Sequence, residues 1–236
     1  MKIVVLTGAG ISAESGVRTF RDADGLWQGH RIEQVASPDG FRADPDLVHE
    51  FYNKRRAQLD DVHPNPAHRA IARLETAFAD DFLLITQNVD DLHERAGSRR
   101  LIHMHGEIRK QRCTACQRVS NCRGDLGTTT PCADCGRIGT SRPHVVWFGE
   151  VPLGMDRAIE ALGSCDLFVS IGTSGAVYPA AGFCQLAAAA GARTVELNLE
   201  PSLVSRHFNE ARHGPAGTLV PDFVDELLAS HDFQSG

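Results

Sequence analysis

The chain has 236 residues, with 24 basic and 30 acidic side chains and a formal net charge of −6. At 42% hydrophobic and 23% charged residues it matches soluble globular proteins, which excludes disordered, collagen-like and disulfide-miniprotein classes. The acidic balance, with no long basic block, argues against non-specific binding to nucleic acid or anionic membrane.

The first predicted element is the apolar run Ile3 to Leu6, too short for a signal h-region or a membrane span, so a cytoplasmic protein is expected. It reads as a parallel strand buried on both faces, as do Phe82 to Thr86, Leu167 to Ile171 and Thr194 to Leu199. Gly8-Ala9-Gly10-Ile11-Ser12-Ala13 follows the first strand and fits the Gly-x-Gly-x-x-Gly/Ala turn, whose glycines let backbone approach a pyrophosphate at a helix N-terminus. A tight turn that simply needs glycine gives the same pattern. The acidic residue expected about 20 positions on has no place, because the chain enters an insertion, and this disfavours a hydride-transfer dehydrogenase. Glu14 to Trp27, with Thr19, Phe20 and Arg21, reads as a loop covering the same phosphates.

The insertion from about Gly16 to Asn65 holds one clear predicted helix, roughly Asp46 to Asp60. Further helices are predicted over Pro66 to Phe78, Pro179 to Ala190 and Pro221 to Leu228, each opened by a proline that a first turn tolerates. Strand and helix alternate, which predicts an α/β fold with a Rossmann-like, doubly wound parallel sheet. Gln87, Asn88 and Asp90 then fall at the carboxyl edge of the second strand, where open α/β sheets bind ligands; helix capping is the competing reading of Asn88 and Asp90.

The polar segment from about Ile108 to Arg142 carries Cys113-x2-Cys116 and, 15 residues on, Cys132-x2-Cys135, the spacing of a zinc site. Four thiolates close a tetrahedral Zn2+ and leave no position for water, so one structural ion is expected. Cys122, Cys165 and Cys184 read as incidental, with Cys122 a remote substitute ligand. The expected arrangement is one catalytic domain with a large lobe over approximately 1–16, 66–107 and 143–236. A small lobe, helical plus zinc ribbon, takes approximately 17–65 and 108–142.

These motifs occur together in one order: Gly8-Ala9-Gly10-Ile11-Ser12, Gly16 to Arg21, Thr86-Gln87-Asn88-Val89-Asp90, His103-Met104-His105-Gly106-Glu107, Arg142 to Glu150, Gly172-Thr173-Ser174 and Glu196 to Glu200. In that set the chain resembles the sirtuins, NAD-dependent protein-lysine deacylases, over almost its whole length, and within them a bacterial, desuccinylase-like branch. The resemblance implies that Asn88 and Asp90 hold nicotinamide and its ribose. It makes His105, the histidine just before Gly106, the general base, an imidazole of ordinary pKa near 6.5 suiting that task. It implies NAD as co-substrate, with nicotinamide and O-acyl-ADP-ribose as products. Gly172, Thr173, Ser174, Asn198, Leu199, Glu200 and Ala216 become further cofactor contacts.

Val146, Phe148, Gly149 and Glu150 on one side, and Gly175, Val177 and Tyr178 on the other, look like segments that sandwich an extended acyl-lysine peptide. Tyr52 and Arg55, three apart on one helical face, match the pair that reads a carboxylate-ended acyl group; taken alone, an exposed basic helix is the competing reading. The implied activity is removal of acetyl and succinyl or malonyl groups from lysine side chains; a monomer with no specific nucleic-acid partner and no membrane partner is expected. A protein ADP-ribosyltransferase, a non-catalytic NAD sensor and a zinc-ribbon nucleic-acid binder are the alternatives.

Overall fold

The computed structural model describes residues 1–17 and 29–235, with side chains up to 230. Its main sheet is parallel and six-stranded. The strands are β1 (Ile3–Thr7), β2 (Phe82–Thr86), β3 (Leu101–His103), β7 (Leu167–Ile171), β8 (Arg193–Asn198) and β9 (Glu210–His213), in the order β3-β2-β1-β7-β8-β9. All five residues of β1, β2 and β7 are buried, which is why each is an unbroken apolar or β-branched run. Register aligns Thr7 with Thr86 and Ile171, and Ile171 with Leu197, so the loops leaving these strands emerge level at one edge. Strand order reverses between β1 and β7, and there the crevice opens.

One face of the sheet is covered by α5 (Pro66–Phe78) and α9 (Ala216–Ser235), the other by α7 (Met155–Leu162) and α8 (Phe183–Ala189). α5 begins where Asn65 accepts from the Ala67 and His68 amides and Pro66 occupies the first turn. Its apolar stripe Ala67, Ala70, Ile71, Leu74 and Phe78 lies in the core with Ile3, Val5 and Leu84. α9 starts at Ala216, and Pro221 sits inside it rather than opening it, forgoing one hydrogen bond to the preceding turn. The short helix α1 (Gly10–Ala13) is a single turn after the glycine loop, and α6 (Leu92–Ala96) follows the loop after β2.

The first insertion holds three described helices rather than one: α2 (Ile32–Val35), α3 (Pro38–Ala43) and α4 (Pro45–Gln58). Ser37 and Asp44 cap α3 and α4, each followed by proline, so the short α3 and the longer α4 each carry their own start signal. The second insertion forms an antiparallel sheet, β5-β4-β6, from β4 (Gly106–Cys113), β5 (Val119–Asn121) and β6 (Ser141–Val145). A third core joins the two insertions: Val35, Val48, Phe51, Tyr52 and Leu59 pack with Ile108, Val145 and Trp147. Among the described residues no helix is long and apolar enough to cross a membrane.

Beneath the loop edge lie two fully buried histidines, His68 and His93, with ring centroids 4.9 Å apart. Burial lowers both pKa values, that of His68 to about 4. The unfolded chain therefore binds protons that the folded one refuses: stability is complete above about pH 6.5 and falls as pH drops toward 4. For His68 alone the loss approaches roughly 3 kcal/mol. A melting series from pH 7.5 to 4.5 is expected to show Tm falling from just above pH 6, with a shallower fall in His68→Gln.

Candidate active site

The crevice floor is backbone. Gly8 N–H donates to the Ile171 carbonyl at 2.9 Å and Gly10 N–H to Gly172 at 2.8 Å. A Cβ on Gly8 would meet the Gly172 oxygen at 2.7 Å, and one on Gly10 the Gly172 Cα at 2.7 Å. The glycines are thus required by contact between the β1 and β7 loops, and Gly172 itself has φ +63°. Of the other loop residues, Ser12 is buried, Ala9 precedes the single turn of α1 and Ala13 ends it, and Glu14 accepts from the Gly217 amide at 3.1 Å, beside Ala216 at the start of α9. Thr19, Phe20, Arg21 and Trp27 lie outside the described residues.

Gln87, Asn88 and Asp90 follow β2 directly. The Gln87 side chain donates to Thr173 Oγ1 at 3.0 Å, and Asn198 Nδ2 donates to the Thr173 carbonyl at 2.8 Å, tying three strand ends together. Asn88 is buried; its amide donates to the Gly8 carbonyl and to Ser12 Oγ, each at 3.1 Å. Its backbone N–H reaches Thr86 Oγ1 at 3.1 Å, which also accepts from Thr7 Oγ1 at 2.9 Å. Since the Thr7 proton is committed there, His93 donates to Thr7 through Nε2 at 3.0 Å, so the buried histidine helps to seat Asn88. Asp90 is buried and accepts from Leu92 N–H at 3.2 Å at the start of α6, so the capping bond coexists with its place in the crevice. Burial raises the Asp90 pKa against that bond and one from Ser12.

Two histidines two residues apart reach successive carbonyls of the same loop. His105 Nδ1 bonds the Gln87 carbonyl and His103 Nδ1 the Asn88 carbonyl, both at 3.0 Å. A carbonyl only accepts, so each Nδ1 carries a proton. On His103 the other nitrogen meets Glu94 Oε1 at 2.7 Å; burial opposes protonation, but this pairing outweighs it and raises the pKa. On His105 burial dominates and lowers the pKa, leaving a neutral ring with its lone pair on Nε2.

Leu199, just past the end of β8, is 67% exposed, Glu200 is exposed beside it, and Ser174 follows Thr173 on the rim. Val146 N–H donates to the His105 carbonyl at 2.8 Å, and Phe148 and Tyr178 are exposed at 49% and 75%. Gly149 and Gly175 take positive φ of +88° and +66°, and Val177 is half-buried. The Glu150 side chain turns inward to Arg142 rather than outward. Tyr52 is buried on α4; Arg55, three residues on, is half-buried, pushed by burial down to about 10 and therefore still charged at neutral pH. Its charge interacts with that of Asp90, which links α4 to the crevice.

Cys113 and Cys135 sulfurs lie 3.8 Å apart, as do those of Cys116 and Cys132. Zn–S bonds of about 2.3 Å at tetrahedral angles require about 3.8 Å between sulfurs, so the donor set fits Zn2+. Each Cys-x2-Cys pair sits in a turn of the same kind, Gln117 N–H returning to the Cys113 carbonyl and Gly136 N–H to Cys132, both at 2.9 Å. Gln117 and Gly136 accordingly share positive φ, +62° and +72°. Cys122 lies outside the cluster, its sulfur on the Gly124 carbonyl at 3.4 Å, while Cys165 and Cys184 are buried in the core under α7 and α8.

Sequence reasoning named Arg142 and Trp147 only within the run Arg142 to Glu150, without a role of their own, and missed His93 and Thr7, which carry no local spacing signal. The Sir2 family model matches residues 8–179. An NAD-dependent protein deacylase of Salmonella typhimurium is 57% identical over 229 residues, covering 96% of this chain and 84% of that protein. A Sir2 homolog–NAD complex superposes with TM-score 0.88 at 38% identity, covering 97% of this chain and 90% of its own. Sir2 bound to acetylated peptide gives 0.81 at 27% identity, covering 95% and 92%. With glycine loop, paired histidines and four-cysteine cluster set at these positions, and with relatives this similar along nearly all of its length, the chain belongs to the Sir2 family.

Proposed function

We propose that the protein is an NAD-dependent protein-lysine deacylase that removes acetyl groups and, through Tyr52 and Arg55, succinyl and malonyl groups. The observation that carries the reading is His105: a neutral imidazole, Nδ1 held by the Gln87 carbonyl, beside a backbone-walled crevice at the β1/β7 switch point. That crevice suits a dinucleotide, with Asn198, Thr173 and Gln87 at its edge. NAD supplies an electrophilic ribose carbon and a nicotinamide leaving group, and the acyl oxygen of the lysine takes the carbon.

The chain's own residues do the rest. His105 Nε2 accepts a proton from a hydroxyl brought into the crevice. Asn88 and Asp90, seated by Ser12, Thr86 and Leu92, orient the nicotinamide end. Phe148 and Tyr178 flank an extended peptide, whose backbone pairs with the Gly149 and Gly175 segments. We assign the parallel sheet to a large lobe and the two insertions to a small lobe, with β4 and β6 extending the latter to Gly106 and Val145. A monomeric cytoplasmic enzyme with no nucleic-acid or membrane partner is consistent with the net charge of −6.

The test is a mass-spectrometric time course on matched acetyl- and succinyl-lysine peptides, with and without NAD. NAD-dependent loss of acyl with O-acyl-ADP-ribose appearing is expected; label from NAD retained on protein would point instead to a transferase. For the acyl group, charge-assisted hydrogen bonds of roughly 1.5–3 kcal/mol each predict that Arg55→Met lowers the succinyl-to-acetyl ratio of kcat/KM by about ten- to hundredfold. Equal loss of both activities sinks the selectivity.

A further inference from the structure

Tyr52 does not stand alone on α4. The Trp147 indole Nε1 lies 3.0 Å from its hydroxyl oxygen, 95 residues away in sequence, and both side chains are 2% exposed. An indole N–H can only donate, so Tyr52 accepts from Trp147 and its own proton must be directed elsewhere. The indole is in turn immobilised. The Arg142 guanidinium stacks 3.4 Å above its ring, held by a two-pronged bond to Glu150 at 2.6 and 3.0 Å and by the Val145 carbonyl at 2.8 Å. Glu150 also accepts from the Trp147 backbone N–H at 2.9 Å, so the stack is locked from above and along its edge.

We infer that Trp147, clamped by Arg142 and Glu150, is a positioning residue for acyl selectivity: its N–H fixes the Tyr52 hydroxyl as a donor toward a carboxylate-ended acyl group. Burial keeps Tyr52 a phenol, well above the ordinary range, so the proton to be donated is present at any working pH. Without the indole N–H the hydroxyl is able to rotate and present its lone pairs, which a carboxylate repels and an acetyl methyl ignores. The effect therefore falls on the acidic acyl group.

This inference rests on the acyl reading above, and one experiment separates the two. The zinc-loaded enzyme at saturating NAD is assayed on matched succinyl- and acetyl-lysine peptides as wild type, Trp147→Phe, Tyr52→Phe and the double variant. One neutral hydrogen bond predicts that the succinyl-to-acetyl ratio of kcat/KM falls about three- to tenfold in Trp147→Phe, chiefly through KM for the succinyl peptide. Added to Tyr52→Phe, it lowers the ratio no further. Should the Phe variant fold poorly, Trp147→benzothienylalanine keeps the bicyclic ring under Arg142, lacks the N–H, and is expected to give the same fall. A ratio unchanged by either Trp147 variant while Tyr52→Phe lowers it, or additive losses in the double variant, overturns the positioning role alone. A ratio unchanged by Tyr52→Phe overturns the acyl reading and this inference together.

Discussion

His105→Ala is expected to lower kcat/KM for NAD-dependent acyl removal by about 10²- to 10⁴-fold, the range over which a positioned general base acts. The residue is set for that task by subtraction. Its neighbour His103 has the same carbonyl contact through Nδ1 but spends Nε2 on Glu94, which raises its pKa against burial. His105 has the carbonyl contact without the carboxylate, so only burial acts strongly on it and lowers its pKa. A base works when neutral. In the wild type, kcat/KM is therefore expected to rise with pH along a limb centred below 6.5 and to be flat above pH 7. A limb centred above 7 would mean that a different group accepts the proton. Peptide binding to His105→Ala, read by fluorescence anisotropy, separates a lost base from a lost fold.

The second large effect is expected on removing zinc. A closed four-cysteine site contributes about 10–16 kcal/mol of apparent binding free energy at neutral pH, comparable to the whole stability of a domain. Here it closes the two turns that end β4 and precede β6. β4 runs from Gly106 to Cys113, so a single strand has His105, the proposed general base, just before its first residue and a cysteine of the zinc-fitting cluster as its last. Stripping the metal, or Cys132→Ser, is expected to release one zinc per chain to a colorimetric chelator and to abolish turnover together with the high-temperature unfolding transition. A Cys132→Ser protein that retains one zinc and the parent Tm would contradict a structural role for the cluster.

How far the sequence alone reached depends on the range of the interaction concerned. Central strands β1, β2 and β7 were legible because burial on both faces demands unbroken apolar runs. β3 and β9 were not: the first has three residues, and the second alternates half-buried Glu210 and Arg212 with exposed positions at the sheet edge. The cysteines are read from spacing because the ion binds two local turns. Pro221 misled, since the rule that proline opens helices describes a preference, and α9 bears an early proline at the cost of one bond. Tyr52 and Arg55 show up as a pair three apart, whereas their supports Trp147, Arg142 and Glu150 arrive from beyond the zinc segment and leave no periodic trace. Buried His68 and His93 are likewise invisible among 11 histidines, because only the fold removes their water.

Strand β1 occupies the middle of the sheet, yet its two neighbours are made late: β2 follows it by 79 positions and β7 by 164, reading from Ile3 to Phe82 and Leu167. At roughly 5–20 residues per second, about ten to thirty seconds of synthesis pass before both sides of β1 can be paired. The zinc turns, by contrast, close within 23 residues, Cys113 to Cys135. The nascent chain can thus close its metal module while β1 is paired on one side only, by β2. Until Leu167 and its strand emerge, one edge of β1 stays unpaired, the state in which an apolar strand is most prone to aggregate.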